Sequence, residues 1–218
     1  MSQENLVSRK DFLKKAGVTV AGVAVTGSLA SVLTGCSAKP TAALDTSQAP
    51  DWPYPYKKLD PDKVAERAFQ AYKEKGGWGI GVSDGFFGLL AEEVGYPFNQ
   101  IRPELWINGA AGYGAATLCG SLGTAAACIG SVCDADTQKK ILADLFNWYK
   151  SHDFPQYQPE DLDLPTTVAD SLLCVDSVGK FMEVSGYAMG DPERKSRCAG
   201  VAAEVSKKMV ELLNEELA

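Results

Sequence analysis

The sequence has little of what most metal and catalytic sites use. His152 is the only histidine among 218 residues, which excludes a zinc or copper site built from several histidines of one chain. A serine triad would therefore have to use His152. Its neighbours are polar and a predicted helix ends there. We interpret His152 as a solvated residue whose charged form suits the helix dipole.

Several further classes are excluded by spacing and charge. No two cysteines form a C-x-x-C pair, which rules out a thioredoxin-type motif and a zinc ribbon. Without a C-x-x-C-H motif, covalent c-type haem is not encoded. The net charge is −7, with no basic stripe outside the N-terminal segment. Nucleic-acid binding, which needs clustered cations, is therefore rejected.

What is present begins with an export signal. A basic stretch over residues 9–15 precedes a mildly apolar run over residues 16–33, and Leu33-Thr34-Gly35-Cys36 follows. This order is typical of a bacterial lipoprotein signal, in which Cys36 becomes the lipid-bearing first residue of the mature protein. The pattern predicts an extracytoplasmic protein that the lipid on Cys36 anchors to a membrane.

The basic stretch also resembles a twin-arginine signal, S-R-R-x-F-L-K. Arg9, Phe12 and Leu13 match it, whereas Lys10 replaces the second arginine and leaves the general secretion route open. A twin-arginine route would imply folding before export, often around a cofactor. We assign residues 1–36 to the signal, 37–56 to a flexible linker that ends in a Tyr/Trp cluster, and 57–218 to one domain.

The domain reads as helical throughout, because strand alternation is nowhere sustained. Capping signals and apolar periodicity predict an all-α bundle of about five or six helices. Predicted segments are 60–75, 79–94, 115–133, 137–149, 166–184 and 191–213, with an irregular Gly-rich stretch over 98–114. The small, uncharged residues of 115–133 favour a buried central helix over a membrane span.

Five cysteines lie beyond Cys36, and an odd number cannot all pair within one chain. At least one must be free, intermolecular or a ligand. The simplest interpretation of a buried free cysteine is a small hydrophobic residue. No motif reaches Cys128 or Cys133, for which this interpretation, or a disulfide, is favoured.

The other motifs resemble those of the split-Soret cytochrome c family and of the related redox proteins named for a spaced-cysteine, CGAxxG-type pattern. The resemblance covers the chain from about Trp52 onward and depends on the order and spacing of its motifs. These are Gly112-Tyr113-Gly114, Leu118-Cys119-Gly120-Ser121-Leu122, Ala125-Ala126-Ala127, Lys58-Leu59-Asp60-Pro61, Gly76-Gly77-Trp78, Ser171-Leu172-Leu173-Cys174 and Arg197-Cys198-Ala199.

The resemblance implies a redox centre on four spaced cysteines, with an iron–sulfur cluster as cofactor. Cys119, Cys174 and Cys198 match three of the four, but Trp78 stands at the first position, and a standard cluster uses four thiolates. Cys128 or Cys133 could substitute only if the fold brought it near. A haem-binding His after Cys174 is also missing, since Val175 stands there.

We therefore expect a haem-less relative that carries electrons rather than catalysing a reaction, with an unidentified redox partner. Backbone N–H groups near Gly112, Gly114 and Gly120 would lie close to the cofactor and favour its negative charge. The resemblance also implies a homodimer. Two alternatives stay open: a helical binding or scaffold lipoprotein that has lost the centre, and a thiol–disulfide protein in which Cys174 and Cys198 pair reversibly.

Overall fold

The structure is a computed structural model that describes residues 50–217. The predicted export and lipidation residues lie outside the described residues; they are Arg9, Lys10, Phe12, Leu13 and Cys36. Among residues 50–217, none of the helices combines the length and the apolar character that a bilayer span requires.

Seven α-helices make up most of the described chain: α1 (Pro61–Lys75), α2 (Trp78–Ser83), α3 (Leu89–Glu93), α4 (Gly120–Val132), α5 (Ala135–Ser151), α6 (Cys174–Ser185) and α7 (Pro192–Leu217). Two π-helical turns (Asp84–Gly88, Gly112–Ala116) and two 3₁₀ segments (Phe98–Gln100, Pro103–Gly109) lie between them. The only strands in this part of the chain, β1 (Asp153–Phe154) and β2 (Thr167–Val168), form an antiparallel pair. The predicted all-α fold is confirmed, with slightly more helices than expected.

Local chemistry sets the ends of α1 as the sequence predicts. The Asp60 side chain accepts a hydrogen bond from the backbone N–H of Asp62 at 3.0 Å, and Pro61 occupies the first turn. The helix stops at Gly76, whose φ of 74° lies in the left-handed region that glycine adopts without strain. Asp134 caps α5 in the same way as Asp60 caps α1.

The core is organised around α7, which packs against α1, α2, α4 and α5. Its residues 196–206 are all buried, as expected of a helix surrounded by other elements. Most of the Gly/Ala-rich α4 is also buried, and its first residue, Gly120, lies directly against the backbone of Gly109. The two helices place their small side chains where backbones approach closely.

Two predicted helices begin too early. Residues 112–116 form a π-helical turn, so that α4 starts at Gly120 and not at residue 115. The second of these helices is α6. We expected a helix from residue 166, but Thr167–Val168 pairs with β1 and α6 starts only at Cys174. Between them, Leu173 forms a β-bridge with Leu118. A pairing with distant residues therefore overrides the local helical pattern up to residue 173.

The Tyr/Trp cluster at the end of the predicted linker docks on the domain. The Trp52 indole donates to the carbonyl of Gly130 at 2.8 Å, and the Tyr56 hydroxyl donates to Asn214 Oδ1 at 2.7 Å. The backbone N–H of Tyr54 donates to the carbonyl of Ser131. The described chain is thus fixed to α4 and α7 from Trp52 onward.

Candidate functional site

One small cavity in the core is lined by three cysteines, which come from the N-cap of α4, from α6 and from α7. Cys119, Cys174 and Cys198 are 6%, 4% and 2% exposed. The cavity has a volume of about 10 Å³, which is roughly the space of a single water. Its other polar or aromatic lining residues are Trp78, Tyr149, Ser177 and Arg197. The three residues expected from the sequence as ligands are therefore brought together.

Backbone pairing fixes the relative position of Cys119 and Cys174. The N–H of Cys119 donates to the carbonyl of Leu172 at 2.9 Å, and the N–H of Cys174 donates to the carbonyl of Thr117 at 2.6 Å. Cys119 is the N-cap of α4, and Cys174 is the first residue of α6. Both thiols thus lie at helix N-termini, where the helix dipole favours negative charge.

Cys198 comes from the buried part of α7 and has two arginines beside it. Arg194 Nη1 lies 3.7 Å from the Cys198 sulfur, and Arg194 Nε donates to the carbonyl of Met189 at 2.7 Å. Arg197 Nη2 donates to the Ser177 hydroxyl at 2.9 Å. The two arginines are only 3% and 1% exposed, so both guanidiniums are removed from water.

Neither arginine has a carboxylate partner within residues 50–217. Arg197 Nε also has no hydrogen-bond acceptor among these residues. The Arg197 guanidinium instead lies 5.6 Å from the ring centre of Phe181 and 6.0 Å from that of Phe154. Since buried charges are normally paired, the cavity has an excess of positive charge that its neutral thiols do not balance.

The thiol pKa values reflect this arrangement. Burial opposes ionisation of Cys198, but Arg194 and Arg197 outweigh it, so its pKa lies below the usual value. For Cys174, burial and then the charges of Cys119 and Cys198 raise the pKa. The arginines therefore favour a thiolate at Cys198, whereas further thiolates in the same cavity repel one another.

A hydroxyl network joins the arginines to the other side of the cavity. The buried Tyr149 hydroxyl donates to the Ser177 hydroxyl at 3.1 Å, and Ser177 accepts from Arg197 as well. Burial first, and then the neighbouring Cys119, raises the pKa of Tyr149. Tyr149 is thus a neutral donor, and the network orients Arg197 against α5 and α6.

Residues 111–116 form a strained turn that packs against Cys174. Ala111, Tyr113 and Ala116 all have positive φ, at 51°, 60° and 55°, which costs of the order of 1–3 kcal/mol for each non-glycine residue. A Cβ on Gly112, whose φ is 60°, would lie 2.8 Å from the Cβ of Cys174. Glycine is therefore required at position 112 for the turn to reach the cysteine.

Gly114 and Gly120, the other two glycines that we predicted to lie close to the cofactor, differ in their packing. A Cβ on Gly120 would lie 2.0 Å from the carbonyl oxygen of Gly109, so this glycine allows α4 to start against the 3₁₀ segment. A Cβ on Gly114 would meet nothing within 4 Å, and Gly114 is exposed. Gly112 and Gly120 flank the two cysteines, whereas Gly114 faces outward.

Trp78 stands at the cavity where the resemblance places a fourth cysteine. Its indole Nε1 is buried and makes no well-formed hydrogen bond within the described residues, although it lies close enough to Cys198 to help lower that pKa. Cys128 and Cys133 do not line the cavity. Both are buried and free, so the fold does not offer either as a substitute ligand.

His152 follows α5 as predicted, but it is not a freely solvated residue. Its Nε2 lies 2.6 Å from Glu204 Oε2, and its ring centre lies 4.5 Å from that of Trp148. Glu204 also accepts from the backbone N–H groups of Gln156 and Tyr157 at 2.8 and 3.0 Å. The interpretation of His152 as solvated is therefore wrong, because a buried carboxylate on α7 holds it.

Sequence reasoning missed Arg194, Arg197, Tyr149 and Ser177. The position of Arg194 could have been predicted from the sequence. It lies one helical turn before Cys198 on a predicted helix, so the two side chains share one face of that helix. Arg197 follows the polar run over residues 193–196 and directly precedes the small residues 198–203, so its place in the sequence does not indicate burial. Tyr149 and Ser177 gave no comparable signal.

Comparison with known proteins agrees with this fold. A scan against models of protein families gives no match. Split-Soret cytochrome c of Desulfovibrio desulfuricans is 31% identical over 170 residues, which are 73% of this chain and 60% of the relative. A solved structure of split-Soret cytochrome c from the same species, described as having a novel iron centre, superposes with a TM-score of 0.72. It is 30% identical and covers 75% of this chain and 72% of its own. This chain belongs to the split-Soret cytochrome c family.

The resemblance inferred from the cysteine and glycine motifs is therefore confirmed. The chain spans 60% of the length of the split-Soret cytochrome c sequence that it matches. Split-Soret cytochrome c is named as a haem protein, whereas this chain contains no C-x-x-C-H motif. Shared ancestry thus extends to the helical fold but not to every cofactor motif.

Proposed function

We propose that this chain is an exported redox protein in which Cys119, Cys174 and Cys198 hold an iron–sulfur centre, and that it carries electrons rather than catalysing a reaction. One observation carries the proposal: two buried arginines without carboxylate partners accompany three buried cysteines. The iron centre described for split-Soret cytochrome c supports it. Covalent haem forms no part of the proposal, because the attachment motif is missing.

The charges of the cavity suit a metal-bound set of thiolates. Neutral thiols leave Arg194 and Arg197 unbalanced, and bare thiolates repel one another. Burial is the main cause of the raised pKa of Cys174, and the charges of Cys119 and Cys198 add to it. Cations placed among the thiolates remove this repulsion, while the net negative charge of a thiolate-held cluster balances the guanidiniums. The N-termini of α4 and α6 favour the same charge.

The donor set and its charges fit a cluster, whereas a single ion is not matched. Within residues 50–217, no group of three or more His, Cys, Asp or Glu side chains is arranged to hold one metal ion. Cys119, Cys174 and Cys198 would hold a cluster, and the cavity of about 10 Å³ would have to widen to admit it. When bound, it would supply reversible electron transfer. Trp78 offers no ligand atom, so the protein would contribute three thiolates.

Iron and acid-labile sulfide measured on the anaerobically purified full-length protein test the proposal. We expect both elements in matching amounts, together with broad visible absorbance that bleaches on reduction. A colourless protein without iron and sulfide would contradict the proposal and favour a scaffold that has lost the centre. The variant Cys198→Ala should lose both elements. Cys128→Ala is its matched control, since both residues are buried and free.

A reversible disulfide between Cys174 and Cys198 is the second candidate. The lowered pKa of Cys198 and the small cavity favour it. Its formation would release two protons and two electrons, which an external disulfide or quinone would accept. Mass spectrometry of the alkylated protein after mild oxidation distinguishes it, because this pair would then escape alkylation.

We also propose that the protein lies outside the cytoplasm and is anchored by a lipid on Cys36. The lipoprotein-type signal supports this placement. Mass spectrometry of the mature N-terminus would show the lipid, and Cys36→Ser should release the protein from membranes. An unmodified N-terminus at another position would contradict the anchor.

A homodimer is proposed on the family resemblance. Leu105, Ile107 and Tyr113 are 65%, 57% and 39% exposed, and exposed apolar groups of this kind are common at interfaces. Analytical ultracentrifugation should give twice the chain mass. A Leu105→Asp, Ile107→Asp variant should then sediment as a monomer.

A further inference from the structure

A surface pocket of about 390 Å³ opens beside Trp78, at the junction of α1, α2 and α7. We name it the Trp78 pocket; its lining includes Tyr72, Lys73, Gly76, Gly77, Trp78 and Lys195. A Cβ on Gly76 would meet nothing within 4 Å, so the missing side chain leaves this side of the pocket open. The volume falls in the range of small-molecule sites.

Trp78 is the wall between this pocket and the cysteine cavity, since it lines both. Its ring centre lies 5.5 Å from that of Tyr72 in an edge-on arrangement. The Arg194 guanidinium lies 5.7 Å from the same ring, on the side of Cys198. Trp78 therefore connects the surface pocket with the cavity that the three cysteines line.

The charge of the pocket is set by its two lysines. Lys73 pairs with Glu160 at 2.9 Å, which neutralises much of its effect. Lys195 is exposed and forms no ion pair within residues 50–217, so it adds a free positive charge. The pocket thus combines an aromatic wall with a cationic rim.

We propose that the Trp78 pocket binds a planar, negatively charged aromatic redox compound, which exchanges electrons with the cysteine-held centre across Trp78. The inference rests on the proposed function for the identity of that centre. An aromatic ring stacks on aromatic walls, and the anionic group lies near Lys195. The exchange moves an electron and forms no bond: the compound is reduced as the centre is oxidised, or the reverse.

Calorimetric titration of the full-length protein with anthraquinone-2-sulfonate tests the binding step. We expect saturable binding at one site in both the iron-loaded and the iron-free protein. Lys195→Glu should weaken it by about fivefold, as expected for an exposed charge pair. Lys139→Glu is the matched control, because Lys139 is also exposed on a helix and lies far from the pocket lining. Methanesulfonate, which has the anion without the ring, should not compete.

The results separate this inference from the proposed function. Absence of binding, or equal binding by the two lysine variants, would contradict the Trp78 pocket as a binding site, whether or not iron is present. Binding to a protein that never contains iron would retain the pocket as a ligand site and reject the electron exchange. Rapid mixing of the reduced, iron-loaded protein with the quinone should restore the visible absorbance, and binding without this change would overturn the exchange.

Discussion

The five cysteines of the domain form two groups that differ in their electrostatic surroundings but hardly in their burial. The first group, Cys119, Cys174 and Cys198, lies at helix N-termini or beside arginines. The second group, Cys128 and Cys133, lies among apolar residues towards the C-terminal end of α4. Burial raises the pKa of Cys128, and burial with Asp134 raises that of Cys133 to about 11. For Cys198 two guanidiniums reverse the effect of burial. Neighbouring charge, rather than exposure, separates a candidate ligand from a core residue.

The largest expected effect is on metal content. Cys198→Ala removes one of three thiolates and leaves Arg194 and Arg197 without that anion, so iron and sulfide should fall to background. Cys128→Ala should retain both, at a stability cost of about 1 kcal/mol for a small buried side chain. Iron and sulfide per mole of protein measure the difference. Equal retention by the two variants would remove the distinction between the two groups.

The two ends of α4 should differ strongly in their tolerance of an added methyl group. Gly120→Ala places a Cβ 2.0 Å from the carbonyl oxygen of Gly109 and should cost about 3 kcal/mol in free energy of unfolding. Gly130→Ala brings its Cβ only within 3.5 Å of Gln138 Oε1 and should stabilise the helix by about 0.5–1 kcal/mol. Urea unfolding of the metal-free proteins tests this. Equal losses of stability in the two variants would indicate that the end of α4 next to Cys119 is not tightly packed.

The pH dependence of stability should have opposite signs for Cys198 and Cys128, one cysteine from each group. The folded-state pKa of Cys198 is lowered, so its stabilising contribution is present above the ordinary thiol pKa and is lost as pH falls through the folded value. The pKa of Cys128 is raised, so its contribution is present below the ordinary value and is lost as pH rises above it.

Unfolding of the metal-free, reduced protein measures these signs. From about pH 7 to about pH 9.5, the stability difference between wild type and Cys198→Ala should grow, while that between wild type and Cys128→Ala should shrink. The changes should be of the order of 1 kcal/mol for each unit of pKa shift. Parallel pH profiles would mean that the arginines do not act on Cys198.

The smallest expected effect concerns the hydroxyl network. Tyr149→Phe removes the bond to Ser177, but Ser177 still accepts from Arg197, so the loss should be about 1 kcal/mol. Tyr54→Phe is the control, because among residues 50–217 its hydroxyl makes no hydrogen bond while its backbone N–H does; it should change stability by less than about 0.5 kcal/mol. Chemical denaturation compares the two, and an equal loss would contradict the network.

Much of the fold could be predicted from local sequence signals. The cap at Asp60, the stop at Gly76 and the periodicity of α5 act within a few residues, and the sequence places these elements within a turn of their observed bounds. The start of α6 was not readable. It depends on the pairing of Leu173 with Leu118, and no local pattern encodes a contact between such distant residues.

For the site, the family motifs gave the three cysteines but not their electrostatic partners. Arg197 looks like an ordinary helix residue until the fold buries it, and the left-handed run from Ala111 to Ala116 contains residues that do not by themselves favour positive φ. The role of Trp78 as a wall between two spaces also depends on tertiary packing. Charge balance and enclosure are properties of the folded chain as a whole.

The bridge between Leu118 and Leu173 has a consequence for the engineering of this site. It holds Cys119 and Cys174 through main-chain hydrogen bonds, so the spacing of these two sulfur attachments does not depend on which side chains flank them. Residues around the cavity can therefore be exchanged to alter its polarity while this part of the frame stays constant. The same two backbone segments could serve as a fixed template on which centres of different composition are built.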